Sequence, residues 1–194
     1  LQITTGARIH EVLLLKTDCL VTNKLGDTFI HFHKTKTDQK EHYVKIDSDM
    51  NEWINELQSI SIPTPILVSS KSTSTTFGDD LEVPRLFSNR GGSNILLPGT
   101  INKFLSKLTK NLKLNSSFSS HDMRKIHALY LRMKGKDKVD IQYALNQVNI
   151  DSQLPYLATK SDKVIENLKS VSLKGVWSHI TEKPQSDSDV PLDT

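Results

Sequence analysis

The sequence predicts a mainly α-helical domain that carries a small three-stranded antiparallel sheet near its start. Three strand-like runs, at residues 19–23, 28–35 and 41–46, are separated by turn-forming residues and predict the sheet. Apolar residues that recur every three or four positions through most of the remaining chain predict the helices. A chain of 194 residues is long enough for one domain with a real core and leaves little room for a second.

The second strand-like run shows the clearest alternation. Its side chains point to two faces in turn, with Phe29, His31 and His33 on one face and Ile30, Phe32 and Lys34 on the other. Such a period of two is typical of a strand. We predict turns at Gly26–Asp27 and at residues 37–39, because Gly and Asp favour the backbone conformations that tight turns need.

The helices follow from periodicity and from capping residues. Residues 7–16 predict a short helix with Ile9, Val12 and Leu13 on one face. Residues 50–59 predict another, with Asp49 or Ser48 as its N-cap. Four more helices are predicted: Gly99–Leu112, one from Ser119–Ser120 through Met133 that Gly135 ends, Lys138–Leu145 and Asp162–Ser172.

Two segments show no periodicity. Residues 69–94 are rich in Ser, Thr, Gly and Asp, which predicts a long surface loop or insertion. Residues 182–194 combine Ser, Pro and Asp, and we expect this tail to be disordered. The predicted domain is therefore residues 1–181.

Charge is distributed unevenly along the chain, although the net charge is only +3. Residues 101–181 hold 14 Lys and Arg against 6 Asp and Glu, whereas residues 1–100 hold 10 against 12. The second half is therefore the part that electrostatics would bring to a phosphate backbone. Solvated lysines on helix faces would give the same count, so charge alone does not decide between the two interpretations.

Composition excludes several classes of protein. No apolar run approaches the roughly 20 residues that a membrane-spanning helix needs, and the first residues lack the pattern of a secretory signal. Cys19 is the only cysteine, which excludes an intrachain disulfide and a cysteine-based zinc site. We expect an intracellular protein that has no membrane partner.

Two basic residues lie in recognisable contexts in the first half. Gly6 and Arg8 lie in a Thr-Gly-x-Arg-x-x-Glu sequence that opens the predicted helix 7–16 and ends at Glu11. Lys36 lies in the predicted hairpin turn between the second and third strands, in a Thr-Lys-Thr context. Lys34 and Lys40 lie close by and compete with Lys36 for any role of a lysine at this turn.

Two further groups of polar residues lie in the second half. His121 and Arg124 are three positions apart at the start of a predicted helix, so both side chains lie on one face and can reach one anion. Arginine suits a phosphate because its guanidinium can donate to two oxygens at once. Gln147 and Tyr156 follow, nine positions apart, with a polar segment between them.

In this order, the four groups resemble the motifs of the tyrosine recombinase family, and the resemblance covers roughly residues 4–173. It implies the catalytic-domain fold of that family and the cleavage and rejoining of DNA strands. Tyr156 would be the nucleophile and would form a 3′-phosphotyrosyl bond. Covalent catalysis of this kind conserves the energy of the phosphodiester, so the resemblance implies no metal, ATP or other cofactor.

The resemblance also implies roles for the other residues. Arg8 and Arg124 would stabilise the negative charge that develops on the phosphate oxygens. Lys36 would protonate the departing 5′ oxygen, and His121 would accept the tyrosine proton or bind a phosphate oxygen. Gln147 occupies a position where the family usually has histidine. Its amide can donate a hydrogen bond but cannot transfer a proton.

The sequence departs from the family pattern elsewhere too. Asn146 stands where the family usually has glycine, and Pro155 restricts the backbone before Tyr156. Family members normally carry a DNA-binding helical domain before the first arginine motif. This chain starts almost at that motif, so we expect the domain to be absent from it and DNA affinity to be weak and salt-sensitive.

The resemblance implies double-stranded DNA as a partner and a homotetramer on DNA, assembled through the C-terminal segment. Several alternatives remain open. A type IB topoisomerase or a telomere resolvase would use the same chemistry, although His121 and Arg124 favour a recombinase. A decayed integrase would only bind DNA, which Gln147 would support. A helical interaction domain would not require the motifs in this order.

Overall fold

The structure is a computed structural model that describes residues 1–33, 41–69, 78–89, 91–113 and 118–147. It contains both the helices and the small sheet of the predicted fold class. Within these residues the helices are α1 (Gln2–Thr5), α2 (Ile9–Leu13), α3 (Ser48–Ile60), α4 (Pro98–Asn111), α5 (Ser120–Met133) and α6 (Lys138–Ala144). The strands are β1 (Leu20–Thr22), β2 (Thr28–Phe32), β3 (His42–Ile46), β4 (Pro65–Leu67) and β5 (Glu82–Pro84).

The chain divides into two units. Within the described residues, one unit consists of Leu1–Ala7 and residues 121–147, and the other is Arg8–Ser120. None of the described helices is long and apolar enough to cross a membrane. The predicted turn at 37–39, the predicted helix Asp162–Ser172 and the predicted tail 182–194 lie outside the described residues.

The three-stranded sheet has the predicted antiparallel order β1-β2-β3. Asn23 shapes the first turn, since its side-chain oxygen accepts hydrogen bonds from the backbone nitrogens of Leu25 (3.0 Å) and Asp27 (2.9 Å). Gly26 supplies the positive φ of 86° that this turn requires. Between β2 and β3 the register pairs His31 with Tyr43 and Phe32 with His42.

The helix α3 begins earlier than predicted. Its N-cap is Asp47, not Asp49 or Ser48, because Asp47 has an extended backbone and its carboxylate accepts a hydrogen bond from the nitrogen of Met50 at 2.9 Å. Helix α2 is shorter than the predicted 7–16, although Leu14 and Leu15 beyond its end are buried. The bounds of α4, α5 and α6 agree closely with prediction.

The prediction of a surface loop at residues 69–94 is wrong for much of the part that the structure describes. β5 lies in this segment and pairs antiparallel with β4. Arg85 directly after it is completely buried, and Leu86 is nearly so. The physical reason is that Asp79, in the same segment, compensates the buried charge of Arg85 through two hydrogen bonds of 2.7 and 2.8 Å.

Each unit has its own apolar cluster. In the unit Arg8–Ser120 the cluster comprises Leu13, Leu14, Ile66, Val68 and Ile95. In the other unit, α5 and α6 pack through Ala128, Leu131, Ile141 and Leu145. Cys19 is buried, and burial together with the charge of Asp18 raises the pKa of its thiol to about 12.

Candidate active site

The turn before Arg8 is the first part of the candidate site. The sequence pattern did not predict helix α1, in which the hydroxyl groups of Thr4 and Thr5 donate back to the carbonyl oxygen of Leu1 at 2.7 and 2.9 Å. Gly6 ends α1 with a φ of 66°, a left-handed conformation that favours glycine. A Cβ atom at Gly6 would lie 2.6 Å from Cδ2 of His127 and 2.9 Å from Cδ2 of Leu145. Glycine is therefore required at this position both by conformation and by space.

Arg8 is the N-cap of α2 and belongs to the unit Arg8–Ser120. The carboxylate of Glu11 accepts a hydrogen bond from the backbone nitrogen of Arg8 at 2.7 Å and another from its Nη1 at 2.9 Å. The side chain of Glu11 is 4% exposed and that of Arg8 is 19% exposed. Glu11 therefore caps the helix and orients the guanidinium, which explains the Arg-x-x-Glu spacing physically.

Arg124 lies one turn into α5 and is 2% exposed. Its Nη1 donates to the carbonyl oxygen of Gly6, and its Nη2 donates to the carbonyl oxygen of Leu145 at 2.6 Å. The sequence predicted a phosphate contact for this residue and gave no indication of these two backbone partners. The guanidinium therefore joins three segments of its own unit: the turn after α1, α5 and the end of α6.

His127, one turn beyond Arg124, is a site residue that the sequence reasoning missed. It is 4% exposed, and its Nδ1 lies 2.8 Å from the carbonyl oxygen of Ile3. A carbonyl oxygen only accepts, so Nδ1 carries the proton and donates. The available signal was its spacing of three residues from Arg124 on a predicted helix, which places both side chains on one face.

His121 lies exposed at the start of α5. Partial burial lowers the pKa of its imidazole below the ordinary 6.5, the positive charges of Lys125 and Arg124 lower it further, and Asp122 opposes them. The neutral form therefore dominates at pH 7. A neutral imidazole can accept a proton or donate a hydrogen bond to an oxygen, so it is compatible with either role predicted from the sequence.

The charges around His121 lead to a prediction that nuclear magnetic resonance can test. We expect Lys125→Gln to raise the pKa of His121 and Asp122→Asn to lower it, because each substitution removes one neighbouring charge. A pH titration of the histidine ring signals measures both changes. Lys134→Gln, at the other end of α5, is the matched control and should leave the pKa unchanged. A pKa that does not respond to Lys125→Gln would contradict the prediction.

Gln147 follows the end of α6, in the same unit as Arg124. Asn146 before it adopts a positive φ of 47°, which explains why the family favours glycine there and why asparagine is a tolerable replacement. Gln142 holds this turn: its carbonyl oxygen accepts from the nitrogen of Gln147 at 3.0 Å, and its side-chain amide donates to the carbonyl of Gln147 at 2.9 Å.

Five buried side-chain polar atoms of the described residues have no hydrogen-bond partner, and Oε1 of Gln147 is one of them. Gln147 itself is 7% exposed. A buried amide without a partner is costly, and a half-turn about its last bond exchanges oxygen for the amide nitrogen. The group can therefore donate to or accept from an incoming polar ligand.

Two predicted site residues, Lys36 and Tyr156, lie outside the described residues, as do the rival lysines 34 and 40. Of the other four, His121, Arg124 and Gln147 belong to one unit and Arg8 belongs to the other. In the part of the chain that the structure describes, no group of three or more His, Cys, Asp or Glu side chains could hold a metal ion.

Comparison with known proteins identifies the family. The sequence profile of the phage integrase family matches residues 1–162. The chain belongs to the phage integrase family. No curated protein matches the chain.

Solved structures similar to this phage integrase family member are those of recombinases. The XerH site-specific recombinase bound to difH substrate is 22% identical, with a TM-score of 0.58, and the match covers 88% of this chain and 43% of that one. The XerA recombinase is 16% identical, with a TM-score of 0.58 and coverages of 87% and 54%. The Tn1549 transposon integrase in complex with circular intermediate DNA is 17% identical, with a TM-score of 0.54 and coverages of 88% and 57%.

These similarities confirm the predicted fold, which is that of a tyrosine recombinase catalytic domain. The chain spans only about half the length of the recombinases that it resembles, from 43% to 57%.

Proposed function

We propose that the complete protein cleaves and rejoins DNA strands at specific sites, as a tyrosine recombinase that integrates or recombines a mobile element. The observation that carries this proposal is the family match, because residues 1–162 include all six predicted site residues. Arg8, Lys36, His121, Arg124, Gln147 and Tyr156 occur in the order that the family motifs require.

The proposed reaction is a transesterification. The oxygen of Tyr156 attacks the phosphorus of a DNA phosphodiester and loses its proton to His121. A 3′-phosphotyrosyl bond forms, and the bond from phosphorus to the 5′ oxygen breaks. Lys36 protonates that oxygen, which leaves as a hydroxyl group. A 5′-hydroxyl from a partner strand then reverses these steps and releases the tyrosine.

The arginines and Gln147 would bind the non-bridging oxygens of the phosphate, where charge develops in the transition state. Two features of the structure support this role. Glu11 holds the guanidinium of Arg8, and two carbonyl groups hold that of Arg124, so neither group needs much reorganisation during the reaction. Oε1 of Gln147, one of five buried polar atoms without a hydrogen-bond partner in the described residues, supports a phosphate contact for this amide.

Double-stranded DNA is the proposed partner. The excess of basic residues in the second half of the chain, 14 against 6 acidic residues in 101–181, supports this proposal. The similar XerH and Tn1549 proteins were solved bound to DNA. We further propose that four copies assemble on DNA through the C-terminal segment, with the protein located inside the cell.

A covalent-trapping experiment tests the proposed function. The complete protein is incubated with nicked suicide DNA that carries the end sequence of its element, and a protein–DNA band is sought on a denaturing gel. We expect the wild type to form the band and Tyr156→Phe to abolish it, because phenylalanine lacks the attacking oxygen. Tyr143→Phe, an exposed tyrosine on α6, is the matched control and should keep the band.

Two other outcomes of the covalent-trapping experiment would refute parts of the proposal. A band that persists in Tyr156→Phe would move the nucleophile to Tyr43, Tyr130 or Tyr143 and would refute the assignment of Tyr156. A wild type that forms no band but binds DNA with strong salt dependence would refute the catalytic proposal and favour a DNA-binding module.

A further inference from the structure

Gly6 lies at the centre of a junction within the unit that contains Arg124. Its carbonyl oxygen accepts a hydrogen bond from Nη1 of Arg124, while Leu145, whose side chain approaches Gly6, accepts one from Nη2 at 2.6 Å. The guanidinium group is planar and its donors form a rigid fork. The positions of the two carbonyl oxygens therefore determine the plane of the Arg124 side chain.

His127 holds the chain segment that carries the first of these two carbonyl groups, that of Gly6. Its Nδ1 donates to the carbonyl oxygen of Ile3 at 2.8 Å and so attaches α1 to α5. The edge of the same ring lies against Gly6, so closely that a Cβ atom there would come within 2.6 Å of Cδ2 and 3.0 Å of Nε2. The imidazole thus holds the segment Leu1–Gly6 by a hydrogen bond on one side and by direct packing on the other.

The mechanism described above uses Arg124 but does not use His127, which is buried and touches no reacting atom there. We propose that His127 is a positioning residue: it places the carbonyl group of Gly6 and, through it, the guanidinium of Arg124. This inference rests on the proposed function, since it concerns the residue that would bind the scissile phosphate. A misplacement of a catalytic group by about 1 Å can lower a rate by about 100-fold.

Substitutions that keep or move the hydrogen-bond donor test the inference. In His127→Asn the amide nitrogen takes the place of Nδ1, whereas in His127→Gln it takes the place of Nε2. We expect His127→Asn to retain most of the rate of covalent product formation and His127→Gln to lose roughly 10- to 100-fold of it. The affinity for DNA should change little in both variants, because His127 is buried.

A double-substitution experiment separates positioning from a general structural effect. The rate of covalent product formation is measured for Arg124→Lys, for His127→Gln and for the two combined. If His127 acts through Arg124, the combined variant is scarcely slower than Arg124→Lys alone. If the rate losses of the two single variants multiply in the combined variant, the inference is overturned. If His127→Gln does not fold, His127→Asn decides, since a large loss of rate in that folded variant would also overturn it.

A second measurement does not depend on catalysis. In protein labelled with nitrogen-15 at arginine, the exchange of the Nη protons of Arg124 with water is followed by nuclear magnetic resonance. We expect slow exchange in the wild type and in His127→Asn, and faster exchange in His127→Gln. Exchange that is the same in all three would overturn the inference. A wild type that forms no covalent product would refute the proposed function alone, and this measurement would still decide the inference.

Discussion

Replacing Arg85 with methionine is expected to lower the free energy of unfolding by about 3–5 kcal/mol at neutral pH, the usual effect of removing one partner from a buried ion pair. Arg85 is completely buried, and its two Nη atoms donate to both carboxylate oxygens of Asp79. They also donate to the carbonyl oxygens of Leu14 and Leu81, each at 2.8 Å. Methionine fills much of the same volume but supplies none of these hydrogen bonds, so it leaves the buried carboxylate of Asp79 with hydrogen bonds from His33 and from the backbone nitrogen of Leu81 but without the guanidinium charge.

Asp79 makes this effect dependent on pH. Burial alone would raise the pKa of its carboxyl group, but hydrogen bonds from His33 and Arg85 and the charge of Arg85 hold that pKa well below the ordinary 3.8. A lowered carboxyl pKa stabilises the folded state above the ordinary pKa, and this contribution is lost as the pH falls through the folded value. The difference between wild type and Arg85→Met should therefore be largest at neutral pH and shrink below about pH 4.

Urea unfolding of the wild type and of Arg85→Met, followed by circular dichroism at several pH values, measures the difference between their free energies of unfolding. The double variant Arg85→Met with Asp79→Leu is the control, because it removes both charges and should recover much of the lost stability. The partly exposed ion pair of Lys45 with Asp27 gives a second control, and Lys45→Met should cost less than about 1 kcal/mol. A cost of Arg85→Met no larger than that of Lys45→Met would contradict the prediction.

Replacing Gly6 with alanine is expected to lower the free energy of unfolding by about 2–4 kcal/mol. One part of this cost is conformational, because the φ of 66° is unfavourable for a residue with a Cβ atom by about 1 kcal/mol. The other part is steric, since the new atom would lie 2.6 Å from the buried ring of His127 and 2.9 Å from Leu145. Overpacking of this kind typically costs about 1–3 kcal/mol.

Gly26 offers a matched control for this prediction. It also has a positive φ, of 86°, but a Cβ atom there would meet nothing within 4 Å. Gly26→Ala therefore measures the conformational cost alone, and the difference between the two variants isolates the steric cost at Gly6. Urea unfolding of both variants gives the comparison. Equal losses in the two would show that the neighbours of Gly6 move aside and would contradict the predicted contact.

The sequence by itself predicted the features that depend on short stretches of chain. The turn at Gly26, the helix over 120–133 and the strand pair that flanks the predicted hairpin follow from local conformational preference and periodicity. The spacing of His121 from Arg124 lies within one helical turn, so the sequence also placed this pair on a common face.

The tertiary structure alone decided which distant groups meet. Arg124 reaches a carbonyl group 118 positions away in the chain, and His127 reaches Ile3 across 124 positions. No local pattern predicts such contacts, because backbone carbonyl groups are the same at every residue and only the packing of segments selects one of them. For the same reason the sequence pattern placed Arg85 within a predicted surface loop. Its burial is possible only because the fold brings Asp79 and the backbone of Leu14 to its guanidinium and compensates the charge there.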